Sequence, residues 1–352
     1  MMQPRPIVVL DQLSRKLGGV SALDGFSLSI DEGEIVCLVG HSGCGKSTLL
    51  RVIAGIETLD AGAVTLNGQL VSGQSVFVEP EQRKVGFMFQ DYALFPHLTA
   101  RQNIAFGLKR MDRTARDERV SDIIKRLGID ALSAKYPHQL SGGEQQRIAL
   151  ARALAPQPAI LLMDEPFSNL DRGLRESVRL ETLNLLRALG TTAIIVTHDP
   201  EEALSTGDTV ALMHKGRLVE AGTGEAVYAK PQTAYAASFF SQLNRVPACR
   251  DGAAASSPLG RFPLAPDHPE PIELLIRPHS LFLTQDGTAA RVVDRAFRGE
   301  IEQLVLAVDG LAEPLIMRSS RNSGAEIGQI VRVSVRPEEA MIFDSSHRES
   351  ST

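Results

Sequence analysis

The sequence predicts an α/β protein, a parallel sheet covered by helices with a side layer of antiparallel strands and a helical insertion, followed by a small C-terminal β-barrel. Three observations predict it. Up to about residue 240, short apolar runs alternate with helical periods, the pattern of a sheet buried on both faces. From Asp91 to about Ala155 that alternation gives way to mainly helical periodicity. After a stretch rich in Ala, Ser, Pro and Gly at 245–271, short strands follow one another toward the C-terminus, as in a small barrel.

Each element has its own signal. GEIVCLVG (33–40), PAILLMDEP (158–166) and TTAIIVTHD (191–199) are apolar runs of strand length. TLLRVIAG (48–55) and ESVRLETLNLLRALG (176–190) are helical and end in glycine. In the insertion, Thr99 and Gln102 have capping-box spacing, and Val120, Ile123, Ile124 and Leu127 share one helix face. Over 60–90, AGAVTLNGQL and KVGFMF read as short antiparallel strands at the side. Residues 241–271 read as a linker between a domain over 1–240 and a barrel over 272–352, OB-like in its run of short strands. A weak repeat supports the barrel: IRPHSLFL (276–283) resembles VRPEEAMIF (335–343), each a strand ending in Arg-Pro with an apolar strand after it.

Bulk properties exclude several classes. The 352 residues carry 37 basic and 42 acidic side chains, a net charge of −5, which argues against nucleic acid as a partner. No run of 18 apolar residues occurs, and the first apolar stretch is only Ile7 to Leu10 before Asp11, so neither a membrane span nor a signal peptide is expected. Three cysteines without metal spacing, Cys37, Cys44 and Cys249, fit a reducing compartment.

Gly40-His41-Ser42-Gly43-Cys44-Gly45-Lys46-Ser47 matches G-x-x-x-x-G-K-[ST] between a strand and a helix. Glycines let backbone N–H groups converge on phosphates, and the helix opening at Lys46 to Thr48 points its positive end at them. Lys46 is placed to reach the β and γ phosphates of a nucleotide, and the Ser47 hydroxyl to ligate Mg²⁺. Cys44, beside Lys46 and near a helix N-terminus, is expected to have a lowered thiol pKa, with an inert small residue as the alternative. A second signal is the strand Ile160 to Met163 ending in Asp164 and Glu165. Asp164 suits Mg²⁺, and Glu165 suits polarisation of the attacking water.

Leu140-Ser141-Gly142-Gly143-Glu144-Gln145-Gln146-Arg147 contains a capping box, Ser141 with Glu144, and starts another helix with exposed glycine N–H groups. Physics alone leaves a well-capped helix as the reading. LSGGEQQR, however, resembles the signature motif of ABC-type ATPases. The phosphate loop, DEP, SNLD (168–171) and a strand followed by His198 come in that family's order. The resemblance covers about residues 5–240; P-loop kinases and GTPases lack the signature.

That resemblance implies a P-loop ABC-type ATPase domain: a RecA-like core, an antiparallel β subdomain and a helical subdomain over about 91–155. It implies a homodimer packed head to tail, with ATP between the phosphate loop of one subunit and Ser141, Gly142, Gly143 and Gln145 of the other. Gln90 matches the glutamine that ligates Mg²⁺, Asp171 the aspartate that links the two sites, and His198 the histidine that contacts the γ-phosphate. Catalytic roles fall to Glu165, His198, Lys46 and Gln90; metal contacts fall to Ser47, Gln90 and Asp164. An aromatic residue often stacks on adenine in this family, whereas the matching position here is Leu17. Phe95, Pro96 and Leu98 match a groove for the membrane permease. One ATPase domain followed by a β-barrel resembles subunits of binding-protein-dependent importers, most of all the ferric-iron (Fbp-type) group. Sugar, polyamine or sulfate cargo stays open, and a soluble non-transport ATPase is a further alternative. The importer reading implies an external substrate-binding protein as an indirect partner and a peripheral position on the cytoplasmic face of the (inner) membrane.

Overall fold

A computed structural model of the chain describes residues 6–320 and 323–344, and the chain divides into two units, Met1–Lys230 and Pro231–Thr352. In the first unit the order is β1 (Pro6–Leu17), β2 (Val20–Asp31), β3 (Ile35–Val39), α1 (Lys46–Ala54), β4 (Ala61–Leu66), β5 (Gln69–Ser72) and β6 (Val85–Met88). The helices α2 (Ala100–Ala105), α3 (Arg113–Arg126) and α4 (Gly142–Leu154) follow, then β7 (Ile160–Asp164), α5 (Arg172–Leu189), β8 (Ala193–Thr197) and α6 (Pro200–Thr206). The unit ends with β9 (Thr209–His214), β10 (Arg217–Gly222) and α7 (Gly224–Ala229).

The central sheet has the order β10-β9-β3-β8-β7-β6, parallel throughout except for β10. Every residue of β3, β7 and β8 is buried, which is why these strands read as unbroken apolar runs rather than alternating ones. Parallel pairing brings the segments that follow β3, β6, β7 and β8 to one edge of the sheet. At that carboxyl edge, open α/β sheets bind their ligands. The strand KVGFMF was expected in the side layer, but β6 pairs in parallel with β7 as the edge of the central sheet. Its four ordered residues are too few to reveal which sheet takes them.

The side layer is antiparallel, in the order β2-β1-β4-β5. Val8, Leu10, Leu13, Phe26 and Val64 pack from it against Leu49, Leu50 and Ile53 of α1 and Leu38 of β3 in one core. The insertion forms a second core with the other face of the sheet, through Ile104, Val120, Ile123, Ile124, Ile148, Leu161 and Met163. Thr99 and Gln102 do form a reciprocal cap on α2.

The second unit carries α8 (Ala234–Phe240), β11 (Asn244–Asp251), β12 (Ala254–Ser257), β13 (Gly260–Pro263), β14 (Ile272–Ile276), β15 (Leu281–Phe297), β16 (Glu302–Val308), β17 (Leu315–Ser319), β18 (Ile330–Val335) and β19 (Ala340–Asp344). Its two antiparallel sheets, β13-β12-β11-β14-β19 and β17-β16-β15-β18, curl around one core that includes Val246, Leu274, Leu281, Val292, Leu306 and Val333. Residues 241–271 are therefore not a linker: most of them form β11 to β13, and the division between units falls at 230 rather than 240. Small residues in these strands gave too weak an alternation to read. The repeat is structural, since Arg277-Pro278 and Arg336-Pro337 each open a single 3₁₀ turn between two strands. Residues 345–352, assigned to the barrel, lie outside the described residues.

Candidate functional site

The loop from β3 to α1 is shaped by what surrounds it. A Cβ on Gly40 would stand 2.2 Å from the Met213 carbonyl oxygen, and one on Gly45 would stand 2.0 Å from that of Ala22. Gly45 also has φ +110°, a conformation L side chains rarely adopt. Lys46, 6% exposed, turns its ammonium into this cradle and donates to the carbonyls of Gly40 (2.6 Å) and His41 (3.0 Å). His41, Ser42 and Gly43 form the exposed rim, while Ser47 and Thr48 lie half-buried in the first turn of α1.

The far end of α1 is held by a residue no motif pointed to. Arg83, 4% exposed, donates to the carbonyls of Val52 (2.9 Å), Ile53 (3.0 Å), Val71 (3.2 Å) and Val78 (2.7 Å) and to Ser72 Oγ (2.8 Å). It places a positive charge where the helix dipole is negative. Burial pulls its pKa downward, but guanidinium stays charged in proteins.

Ser47 Oγ donates to Asp164 Oδ1 at 3.0 Å. Asp164 is buried, and burial pushes its carboxyl pKa up, with the Ser47 hydrogen bond opposing and the neighbouring Glu165 adding to the rise. A hydroxyl and a carboxylate side by side are hard oxygen donors of the kind Mg²⁺ takes, so these residues fit that ion. Glu165 follows in a left-handed conformation, φ +46°, which costs about 1–3 kcal/mol for a non-glycine residue. Its backbone is fixed by a bond to Val196 O and by Ser168, whose N–H and Oγ both donate to Glu165 O. The bend aims the side chain at two others. Glu165 Oε2 accepts from Gln90 Nε2 at 3.3 Å and lies 3.1 Å from His198 Nδ1. Three predicted residues from three strand ends thus meet at one carboxylate. The segment carrying His198 is braced by Thr197 Oγ1, which donates to Glu202 Oε2 (2.8 Å) and accepts from Asp199 N–H (3.1 Å).

Of the second half-site, Ser141 and Gly142 face outward while Gly143 is buried beside Leu174 and Val178. Ser141 caps α4 reciprocally with Glu144. The Gln145 amide donates to the carbonyls of Pro137 (3.1 Å) and Leu140 (3.2 Å) and so braces the loop that leads into this terminus. Asp171 is exposed and precedes α5, where its side chain makes no cap bond. Asn169, two residues before it, donates to Gln90 O at 2.8 Å.

One expectation changes. The Cys44 thiol is 7% exposed, and burial pushes its pKa up despite the opposing charge of Lys46; desolvation outweighs the ammonium. Leu17 ends β1 at 38% exposure, opposite the exposed Val20, and Ala22 of the same hairpin touches the cradle at Gly45.

The chain is similar to known proteins over most of its length. The ABC transporter family model matches residues 23–168, and the TOBE domain model matches 274–343. The sulfate/thiosulfate import ATP-binding protein CysA 2 of Chromobacterium violaceum is 44% identical over 317 residues, 87% of this chain and 85% of that one. The Fe(3+) ions import ATP-binding protein FbpC of Pseudomonas fluorescens is 41% identical over 335 residues, 92% of this chain and 94% of that one. Among solved structures, the ATP-binding cassette MJ0796, described as a dimeric post-hydrolysis state bound to ADP and Pi, is similar with a TM-score of 0.54 and 32% identity over 61% of this chain and 98% of that one.

Proposed function

The chain belongs to the ABC transporter ATPases that carry a C-terminal TOBE domain, and on that premise we propose that it couples ATP hydrolysis to solute import as a homodimer with two shared nucleotide sites. The observation that carries the proposal is the separation of a phosphate cradle at the sheet edge from a second, outward-facing glycine N-terminus on α4. MJ0796, dimeric with ADP and Pi, supports the pairing.

In this mechanism Lys46 exchanges its carbonyl partners for the β and γ phosphate oxygens of ATP. Ser47, Asp164 and Gln90 would hold Mg²⁺, which offsets phosphate charge when bound. Leu17 lends apolar contact to the adenine. Glu165 orients a water molecule and accepts its proton as the water oxygen bonds to the γ-phosphorus and the bond to the β–γ bridging oxygen breaks. His198, held by Glu165 and by the Thr197–Glu202 brace, contacts the γ-phosphate. Ser141, Gly142 and Gly143 of the second copy complete the site, and Asp171 lies between the two sites. Hydrolysis removes the shared γ-phosphate, so the dimer opens.

The partners in this reading are a membrane permease, docked near Phe95, Pro96 and Leu98, and an external binding protein that delivers cargo. The chain then sits at the cytoplasmic face of the inner membrane; no described helix is long and apolar enough to cross a bilayer. Ferric iron is the proposed cargo, supported by the relative matched over 92% of the chain. Sulfate is the second reading, supported by the 44% identical relative. Deletion of the gene followed by uptake of labelled ferric iron and labelled sulfate tests this. Loss of iron uptake alone supports iron, loss of sulfate uptake alone supports sulfate, and unchanged uptake of both contradicts both cargoes.

A further inference from the structure

The segment after Gln90 is bent in a way its residues disfavour. Tyr92 and Ala93, neither of them glycine, have φ +61° and +44°. Two consecutive left-handed residues persist only where the surroundings hold them. The hold comes largely from one side chain. Arg152, on α4, donates from its two terminal nitrogens to Ala93 O (2.7 Å) and Tyr92 O (2.8 Å). Its guanidinium lies 5.6 Å from the centre of the Phe95 ring. Burial pulls the Arg152 pKa down, partly offset by Asp91; the group stays charged and its fork remains a pair of donors.

Two further clamps fix the same stretch. Asn103, 0% exposed, accepts from Phe95 N–H (2.8 Å) and donates to the carbonyls of Phe95 (3.2 Å), Leu98 (3.1 Å) and Thr99 (3.1 Å). Asn169 holds the carbonyl of Gln90. The loop between the hydrolytic site and the helical insertion is therefore tied to α2, to the Asn169 segment and to α4. Of these, α4 is the helix whose N-terminus carries Ser141 to Gly143.

We infer that Arg152 is a positioning residue that links the loop after Gln90 to the N-terminus of α4, and so sets how well Ser141 to Gly143 engage the second subunit's nucleotide. The inference rests on the shared-site reading above. Arg152 lies ten residues from Gly142 along one helix, about 15 Å at 1.5 Å per residue. A packed helix passes a displacement at one end to the other because it moves as a rigid body. A shift of the loop toward or away from a docked permease would therefore tilt the signature end of α4.

The test uses full-length Glu165→Gln protein, alone and combined with Arg152→Ala or Arg152→Lys, read by amide hydrogen exchange with and without ATP and Mg²⁺. In Glu165→Gln alone, ATP is expected to protect both 43–48 and 141–145. Adding Arg152→Ala should keep protection at 43–48 and reduce it at 141–145 about tenfold, the scale of a lost hydrogen bond to a charged donor. Lysine keeps the charge without the planar fork and should give a smaller loss at 141–145. Unchanged protection at 141–145 in both variants overturns the inference, as does equal loss at both segments, which marks general destabilisation. Missing protection at 141–145 in Glu165→Gln itself contradicts the shared-site reading and removes the inference with it.

Discussion

Ser47 Oγ and Asp164 Oδ1 stand 3.0 Å apart across 117 residues of sequence. The parallel order β3-β8-β7 brings them together, because the strand ends that carry them reach the same edge of the sheet. The pair predicts a metal-linked phenotype. Asp164→Asn keeps a hydrogen-bond acceptor for Ser47 but removes the charge. ATP turnover should fall about 100-fold or more, the scale of removing one electrostatic stabiliser of the transition state, and half-maximal activity should need more Mg²⁺. Hydrolysis measured across a Mg²⁺ series checks both effects; an unchanged Mg²⁺ requirement speaks against Asp164 as a metal residue.

Cys44 should be slow to alkylate. Its burial and raised pKa contrast with the exposed Cys249, while Cys37 is fully buried with its thiol pKa pushed up further still. Brief iodoacetamide treatment at neutral pH should label Cys249 first and leave hydrolysis within about twofold, since thiolate fraction and access govern the reaction. Peptide mapping that finds Cys44 labelled first would restore the original expectation of a reactive thiol in the cradle.

The contrast between Lys46 and Arg152 shows how much of the site was legible. Lys46 and Ser47 are announced by a motif whose spacing follows from phosphate geometry, and Asp164, Glu165 and His198 each sit where a recognisable apolar strand ends. Gln90 was placed by resemblance alone, since β6 carries too few residues to announce its sheet. Arg152, Arg83 and Asn103 act on backbone carbonyls, and carbonyls leave no trace in sequence; the only hint was a lone arginine in the apolar run ALARAL. Desolvation of Cys44 was hidden for a related reason, because its side chain joins a core with residues far along the chain such as Met213, and Gly216 N–H donates to Cys44 O from the same distant hairpin. Strands β11 to β13 escaped because Pro, Ala and Ser dilute their alternation.

Glu202 predicts the sign of a pH effect. Burial pushes its carboxyl pKa up, Asp199 adds to the rise, and the Thr197 hydrogen bond with Arg179 and Arg175 opposes it. With the folded pKa above the unfolded value, the folded state retains a proton that the unfolded chain has released, so this group's contribution to stability declines as pH rises through that window. Glu202→Gln keeps an acceptor for Thr197 and removes the titration. Its Tm relative to the unsubstituted protein should therefore rise between pH 4 and pH 8. A relative Tm that falls over the same range would reverse the assignment.

Leu17 predicts weak discrimination of the base. Without a ring to stack on, ATP and GTP should be hydrolysed with similar kcat/KM. Leu17→Tyr should tighten ATP binding about fivefold, or ~1 kcal/mol, the lower end of aromatic–base stacking. A fluorescent-nucleotide titration of both proteins checks this; a strong ATP preference in the unsubstituted chain would show that adenine is held by other contacts.

In the proposed mechanism each nucleotide is bound by two copies of the chain, and Glu165→Gln puts that pairing to the test. The amide preserves the hydrogen-bonding shape between Gln90 and His198 but cannot take the proton from water, so bound ATP should persist. The measurement is the mass of the full-length variant by size-exclusion light scattering with saturating ATP and Mg²⁺. The shared site should give a dimer that returns to monomer when ATP is replaced by ADP. A variant that stays monomeric in saturating ATP while binding the nucleotide would contradict it.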